Sequence, residues 1–166
     1  MNEPRIVERP AFQVVGKKTW IAGQDNSLFG RFWEQCRADG LLELFNQISG
    51  FRPGPQTGGV TLGISCVEKD PAKREFYYLI AIESPGPAAE LETYDVPASL
   101  WAIFECHGPV PGSIVQAEKY AFMEWLPNSK YVHAHAPEME VYPPGIDGSS
   151  KDAYNEFWLP VSKKVT

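Results

Sequence analysis

Strict alternation of apolar and polar side chains marks the end of the chain. Across residues 154–161, Asn155, Phe157, Leu159 and Val161 fall on one side, and Tyr154, Glu156, Trp158 and Pro160 on the other. A period of two is the signature of a strand with two unlike faces. Phe157, Leu159 and Val161 make a core face. The opposite face sets one carboxylate between two aromatic rings, which suits a flat, apolar or cationic ligand. The plain alternative is an amphipathic edge strand.

The same test places the other elements. Residues 5–9 and 11–15 read as strand, interrupted by Pro10 and closed by Gly16. Asp25, Asn26 and Ser27 offer caps to a helix whose apolar positions are Leu28, Phe29, Phe32, Trp33 and Cys36. A second helical piece covers 41–48. Residues 51–59, rich in Pro and Gly, read as loop. Residues 60–66 and 75–83 predict a hairpin across a charged turn at 68–74. In the second of these strands Phe76, Tyr78, Ile80 and Ile82 share one face. Residues 84–89 hold Pro85, Gly86 and Pro87 and divide the chain. Beyond them come a strand at 100–107, a helix from Ser113 to about Leu126, a short strand at 138–142 and the closing strand.

Each half then repeats one order: strand, glycine, helix, strand, strand. Two such copies, at approximately 4–84 and 94–163, predict a single α+β domain over 1–166. Two pseudo-symmetric modules would form one antiparallel sheet with helices on one face and a ligand groove between them.

Composition narrows the function. The net charge of −6 and the absence of a basic cluster argue against direct nucleic-acid binding. No run approaches a membrane span, and no apolar leader follows Met1. Three scattered cysteines, Cys36, Cys66 and Cys106, suggest neither a disulfide framework nor a zinc site and fit a cytoplasmic protein. His107, His133 and His135 lack the acidic or Cys neighbours of a metal site, so neither a metal nor another cofactor is expected. Aromatic residues make up 13% of the chain, five of them Trp, enough to line a cavity as well as fill a core.

Five segments, in order, resemble the GyrI-like domain, the effector-binding domain of AraC-type and MerR-type multidrug regulators. They are residues 4–16, residues 101–109 (WAIFECHGP), residues 124–129 (EWLPNS), residues 140–142 (EVY) and residues 156–161 (EFWLPV). The resemblance covers nearly the whole chain. It implies two strand–helix–strand–strand modules and a groove that takes up lipophilic, aromatic and cationic compounds. It also implies a groove acid that answers the ligand's charge, a role that falls on Glu156 through the closing motif. Regulators of this kind carry a DNA-binding domain ahead of this one; here the first strand begins by residue 5, which reads as a free-standing form.

The expected ligand-binding set is Glu156, Trp101, Tyr78, Trp125, Tyr142 and Trp158. Trp101 is chosen because Ala102, Phe104 and Cys106 make the better helix-packing face, which turns Trp101 to the open side. Each ring has core packing as its ordinary alternative. Two other functions stand beside the binder. One is a hydrolase of cyclopropane-bearing or other electrophilic lipophilic compounds, with Glu156 as the catalytic acid or base and Tyr78 or Tyr142 donating a hydrogen bond. The other is a module that shields a protein partner.

Overall fold

The computed structural model describes residues 3–49, 60–67, 74–84, 86–88 and 90–165. The predicted loop at 51–59 and most of the turn at 68–74 lie outside them. The strands are β1 (Arg5–Arg9), β2 (Phe12–Ala22), β3 (Thr61–Ser65), β4 (Glu75–Glu83), β5 (Glu92–Val96), β6 (Ser99–His107), β7 (Tyr131–His133), β8 (Glu138–Tyr142) and β9 (Tyr154–Lys163). Helices α1 (Ser27–Ala38) and α2 (Leu41–Ser49) lie in the first half, and α3 (Gly112–Tyr120) in the second. A π-helical stretch, Ala121–Trp125, and a last turn, Leu126–Asn128, extend α3.

All strand pairs are antiparallel, in the order β1-β6-β9-β8-β3-β4-β2-β5, with β7 added beside β9. The order repeats about its centre. Strands β6, β9 and β8 form one half; β2, β4 and β3 form the other; β3 and β8 meet at the seam. This is the α+β architecture of two related modules that the doubled pattern predicts.

The sheet cannot be flat. Strands β1 and β2 stand six places apart in it, about 29 Å in a flat sheet, yet only residues 10 and 11 join them. Residues 97 and 98 likewise join β5 to β6. A two-residue link spans at most about 11 Å, so the sheet must curl until its ends approach. Curling encloses an inner core of Val14, Leu62, Ile64, Leu79, Trp101, Ile103, Met139, Val141 and Trp158, all buried.

The outer face carries the helices. Phe29, Phe32, Trp33 and Cys36 of α1, with Leu41 and Phe45 of α2, pack on Val15, Ile21, Phe76, Tyr78, Ile80 and Ile82. Ahead of α1, Asp25 accepts bonds from the Ser27 N–H (3.0 Å) and hydroxyl (2.6 Å) in a side-chain turn, while the N-cap residue Asn26 makes no side-chain cap bond. Gly40, at φ 82°, separates α1 from α2. Ile114, Ala117, Ala121 and Trp125 pack on Ala102, Phe104, Cys106, Phe157, Leu159 and Val161.

Two expectations need correction. Strand β2 continues through Gly16 to Ala22. A Cβ at Gly16 would stand 2.7 Å from the Ala81 Cα, so this glycine permits close strand contact and does not end the strand. Strands β5 and β7 add to the elements that the sequence pattern predicts, because their mixed sequences have no clean alternation.

Candidate functional site

On the outer face, helices cover the flanks of the sheet and leave its seam between them. Cross-strand register places Ile80, Gly63, Glu140, Phe157 and Phe104 in one row across β4, β3, β8, β9 and β6. The row is apolar at both ends and polar in the middle. Thr61, Gly63 and Ser65 on β3 face outward beside Glu138, Glu140 and Tyr142 on β8. The alternate residues, Leu62, Ile64, Met139 and Val141, point into the inner core. A polar floor thus runs between two helix-capped apolar flanks.

Glu140 is the centre of that floor. The Tyr78 hydroxyl donates to Glu140 Oε1 at 2.9 Å, and the Tyr142 hydroxyl donates to the same oxygen at 2.5 Å. Trp33 Nε1–H of α1 donates to the Tyr78 oxygen at 3.0 Å. The Trp33 ring also stands edge-on to Tyr142, with centroids 5.3 Å apart. Phe29 meets Tyr78 the same way at 4.9 Å. Side chains from both modules therefore converge on one carboxylate. Gly63 makes this possible: a Cβ there would lie 2.8 Å from Glu140 Oε1 and would collide with the Tyr78 hydroxyl. Both tyrosines use Oε1, and no hydrogen bond to Oε2 exists among the described residues.

The electrostatics follow from burial with little compensation. Burial raises the Glu140 carboxyl above the ordinary carboxylate range, the tyrosine hydroxyls oppose that rise, and Glu138 adds to it. Burial and the Glu140 charge drive the Tyr78 and Tyr142 hydroxyls well above their usual range, so both stay protonated donors. Glu118, half-buried on α3, lies within electrostatic reach of Glu140 and Glu138. Burial first, then Glu140 and Glu138, push its carboxyl from 4.5 to about 8, with Arg74 opposing. Glu138 also accepts from His133 Nε2–H at 2.9 Å, while His133 Nδ1 takes the His135 N–H. Among the described residues no basic side chain forms an ion pair with Glu140 or Glu118.

Glu118 supplies a stability test. Its carboxyl titrates higher folded than unfolded, so its contribution is complete below about 4.5 and is lost as pH rises through about 8. Glu118→Gln should melt like the parent near pH 4 and be more stable by about 1–2 kcal/mol above pH 8, solvent screening included. Urea titrations across pH measure this.

The expected ligand-binding residues separate into three places. Tyr78 and Tyr142 are at the seam. Trp125 is buried under the helix end, 5.5 Å from Phe104, stacked on Tyr131, and donating to Glu3 at 3.0 Å. Trp101 and Trp158 are in the inner core with ring centroids 5.8 Å apart. Ala102, Phe104 and Cys106 do pack under the helix, as expected. The face opposite them is closed by the curl, and that corrects the assignment of Trp101 to an open groove. Glu156 is framed as its strand pattern indicates: Tyr154 donates at 2.6 Å and Trp158 Nε1–H at 3.0 Å. It lies in register with Val141, on the face opposite Glu140, and Arg5 already answers its charge at 3.0 Å. Glu140, Glu118, Trp33 and Gly63 belong to this candidate site and stand outside the set expected from sequence.

The residue pattern of the GyrI-like small molecule binding domain matches residues 2–162. The chain belongs to this family. The fold of this GyrI-like domain is similar to several solved structures. SAV2435, whose structure is bound to tetraphenylphosphonium, aligns with a TM-score of 0.81 at 22% identity over 97% of this chain and 94% of that one. A putative transcription regulation protein from Staphylococcus aureus MU50 aligns with a TM-score of 0.72 at 21% identity, covering 96% and 98%. The EcmrR C-terminal domain aligns with a TM-score of 0.64 at 17% identity, covering 98% of both chains. No curated protein matches the chain. Among the described residues of this GyrI-like domain, no helix is long and apolar enough to cross a membrane.

Proposed function

We propose that this GyrI-like domain takes up lipophilic aromatic cations at the sheet seam, with Glu140 as the charge partner. The observation that carries the reading is the Glu140 carboxylate, which is held at the junction of the modules by two neutral hydroxyls and has no basic partner among the described residues. A half-buried acid without a counterion carries a desolvation cost, and a ligand that brings the counterion relieves it. Trp33, Tyr142 and Phe29 add ring faces and edges, and each ring facing a cation is worth about 0.5–2 kcal/mol. Glu118 adds a second negative charge once it ionises. The tetraphenylphosphonium held by SAV2435 is a cation of this class.

Titrating the protein with tetraphenylphosphonium and with neutral triphenylphosphine oxide tests the reading. The cation should bind and the neutral compound should bind far more weakly. Affinity for the cation should rise with pH through about 8, where Glu118 loses its proton. Equal affinity for both compounds, or no binding of the cation, would overturn the proposal.

A further inference from the structure

The two oxygens of Glu140 are not equivalent. Oε1 is doubly occupied: it accepts from the Tyr78 hydroxyl at 2.9 Å and from the Tyr142 hydroxyl at 2.5 Å. It also lies over Gly63, where a Cβ would come within 2.8 Å of it. Oε2 accepts from no described residue. It is not sealed off either. Among the described residues the buried side-chain atoms without a partner are on Arg9, Trp101, Ser113 and Asn155, and neither oxygen of Glu140 is one of them. Oε2 is therefore the oxygen that meets solvent, and the one an incoming ligand meets. The arrangement is held from behind. Trp33 Nε1–H donates to the Tyr78 oxygen at 3.0 Å, which leaves the Tyr78 proton pointing at Oε1.

We propose that Oε2 makes the seam select aromatic cations that carry an N–H, the protonated amines and amidines, over quaternary cations of the same charge and ring content. This inference rests on the reading of Glu140 as the charge partner and adds what charge alone does not decide. Charge attraction is nearly the same for both kinds of cation. Hydration is not. An N–H cation gives up hydrogen bonds to water on entering, and in a pocket without an acceptor that loss favours the quaternary ion. Here the lost bond is replaced. The ligand N–H can donate to Oε2, and a hydrogen bond between two ionised groups is roughly twice as strong as a neutral one. A quaternary ion strips water from the same oxygen and returns no donor, which leaves Oε2 unpaired. The balance therefore tips toward the N–H cation.

Dibenzylammonium and dibenzyldimethylammonium form a matched pair for calorimetric titration at about pH 7, where the secondary amine is protonated. They share charge and rings and differ in N–H against N–CH3; dibenzyl ether is the neutral reference. Dibenzylammonium should bind on the order of tenfold tighter than the quaternary ion, and both should bind tighter than the ether. Glu140→Gln separates hydrogen bonding from ligand bulk. With Tyr78 and Tyr142 holding the amide oxygen, the amide NH2 takes the place of Oε2 and offers a donor where an acceptor stood, so the preference for the N–H cation should vanish. A quaternary ion that binds the parent as tightly as dibenzylammonium, with both ahead of the ether, would overturn the selectivity and leave the charge reading standing. A preference that survives in Glu140→Gln would overturn its assignment to Oε2. Two cations that bind no tighter than the ether would overturn the charge reading itself, and this inference with it.

Discussion

Glu140→Gln is expected to weaken binding of tetraphenylphosphonium by about 3 kcal/mol, on the order of a hundredfold. The substitution keeps size and shape and removes the charge. Tyr78 and Tyr142 can still donate to the Gln oxygen, so the floor of the site should hold its form. Affinity for neutral triphenylphosphine oxide should hardly change, and calorimetric titration of both compounds separates charge from shape. Glu156→Gln is the control. Its parent carboxylate is on the other face and paired with Arg5, so cation affinity should survive its loss. If Glu156→Gln abolished cation binding and Glu140→Gln did not, the site would belong to the inner side of the sheet.

Trp101→Ala is expected to cost about 3–5 kcal/mol of stability, the range for emptying a buried Trp site. Trp101 has no exposed surface and packs against Trp158 in the inner core. Its removal leaves a cavity whose walls, strands tied by two-residue links, cannot easily collapse. Urea unfolding should show a lower midpoint. Trp101→Phe keeps a ring and should cost less, about 2 kcal/mol, leaving folded protein in which cation affinity is unchanged. A variant as stable as the parent but unable to bind the cation would mean that Trp101 lines the ligand site after all.

These two residues also mark how far the sequence can be read. The doubled order of elements is legible because period two and helical spacing alternate cleanly in both halves. The helix-bearing face of β6 is legible too: Ala102, Phe104 and Cys106 are small enough or apolar enough to sit under a helix. What lies behind that face is not. The interior that takes in Trp101 exists because residues 10–11 and 97–98 pull the sheet ends together, and that constraint appears only once strand order is known. The choice between the two glutamates fails for a related reason. Glu140 sits two residues before Tyr142, as Glu156 sits two before Trp158, so the two strands carry nearly the same local message. Which acid faces the seam depends on Gly63 standing opposite Glu140, a pairing between distant parts of the chain. Trp33 reads as one more apolar position on α1, and nothing local reveals that its N–H reaches Tyr78 in another element.

The location of the bound cation is the most direct measurement. A crystal structure of the protein with tetraphenylphosphonium should place the phosphorus over the β3–β8 seam, beside Glu140 and between Trp33 and Tyr142, with Glu156 still bound to Arg5. A phosphonium lodged beside Glu156, or on the inner side of the sheet against Trp101 and Trp158, would contradict it.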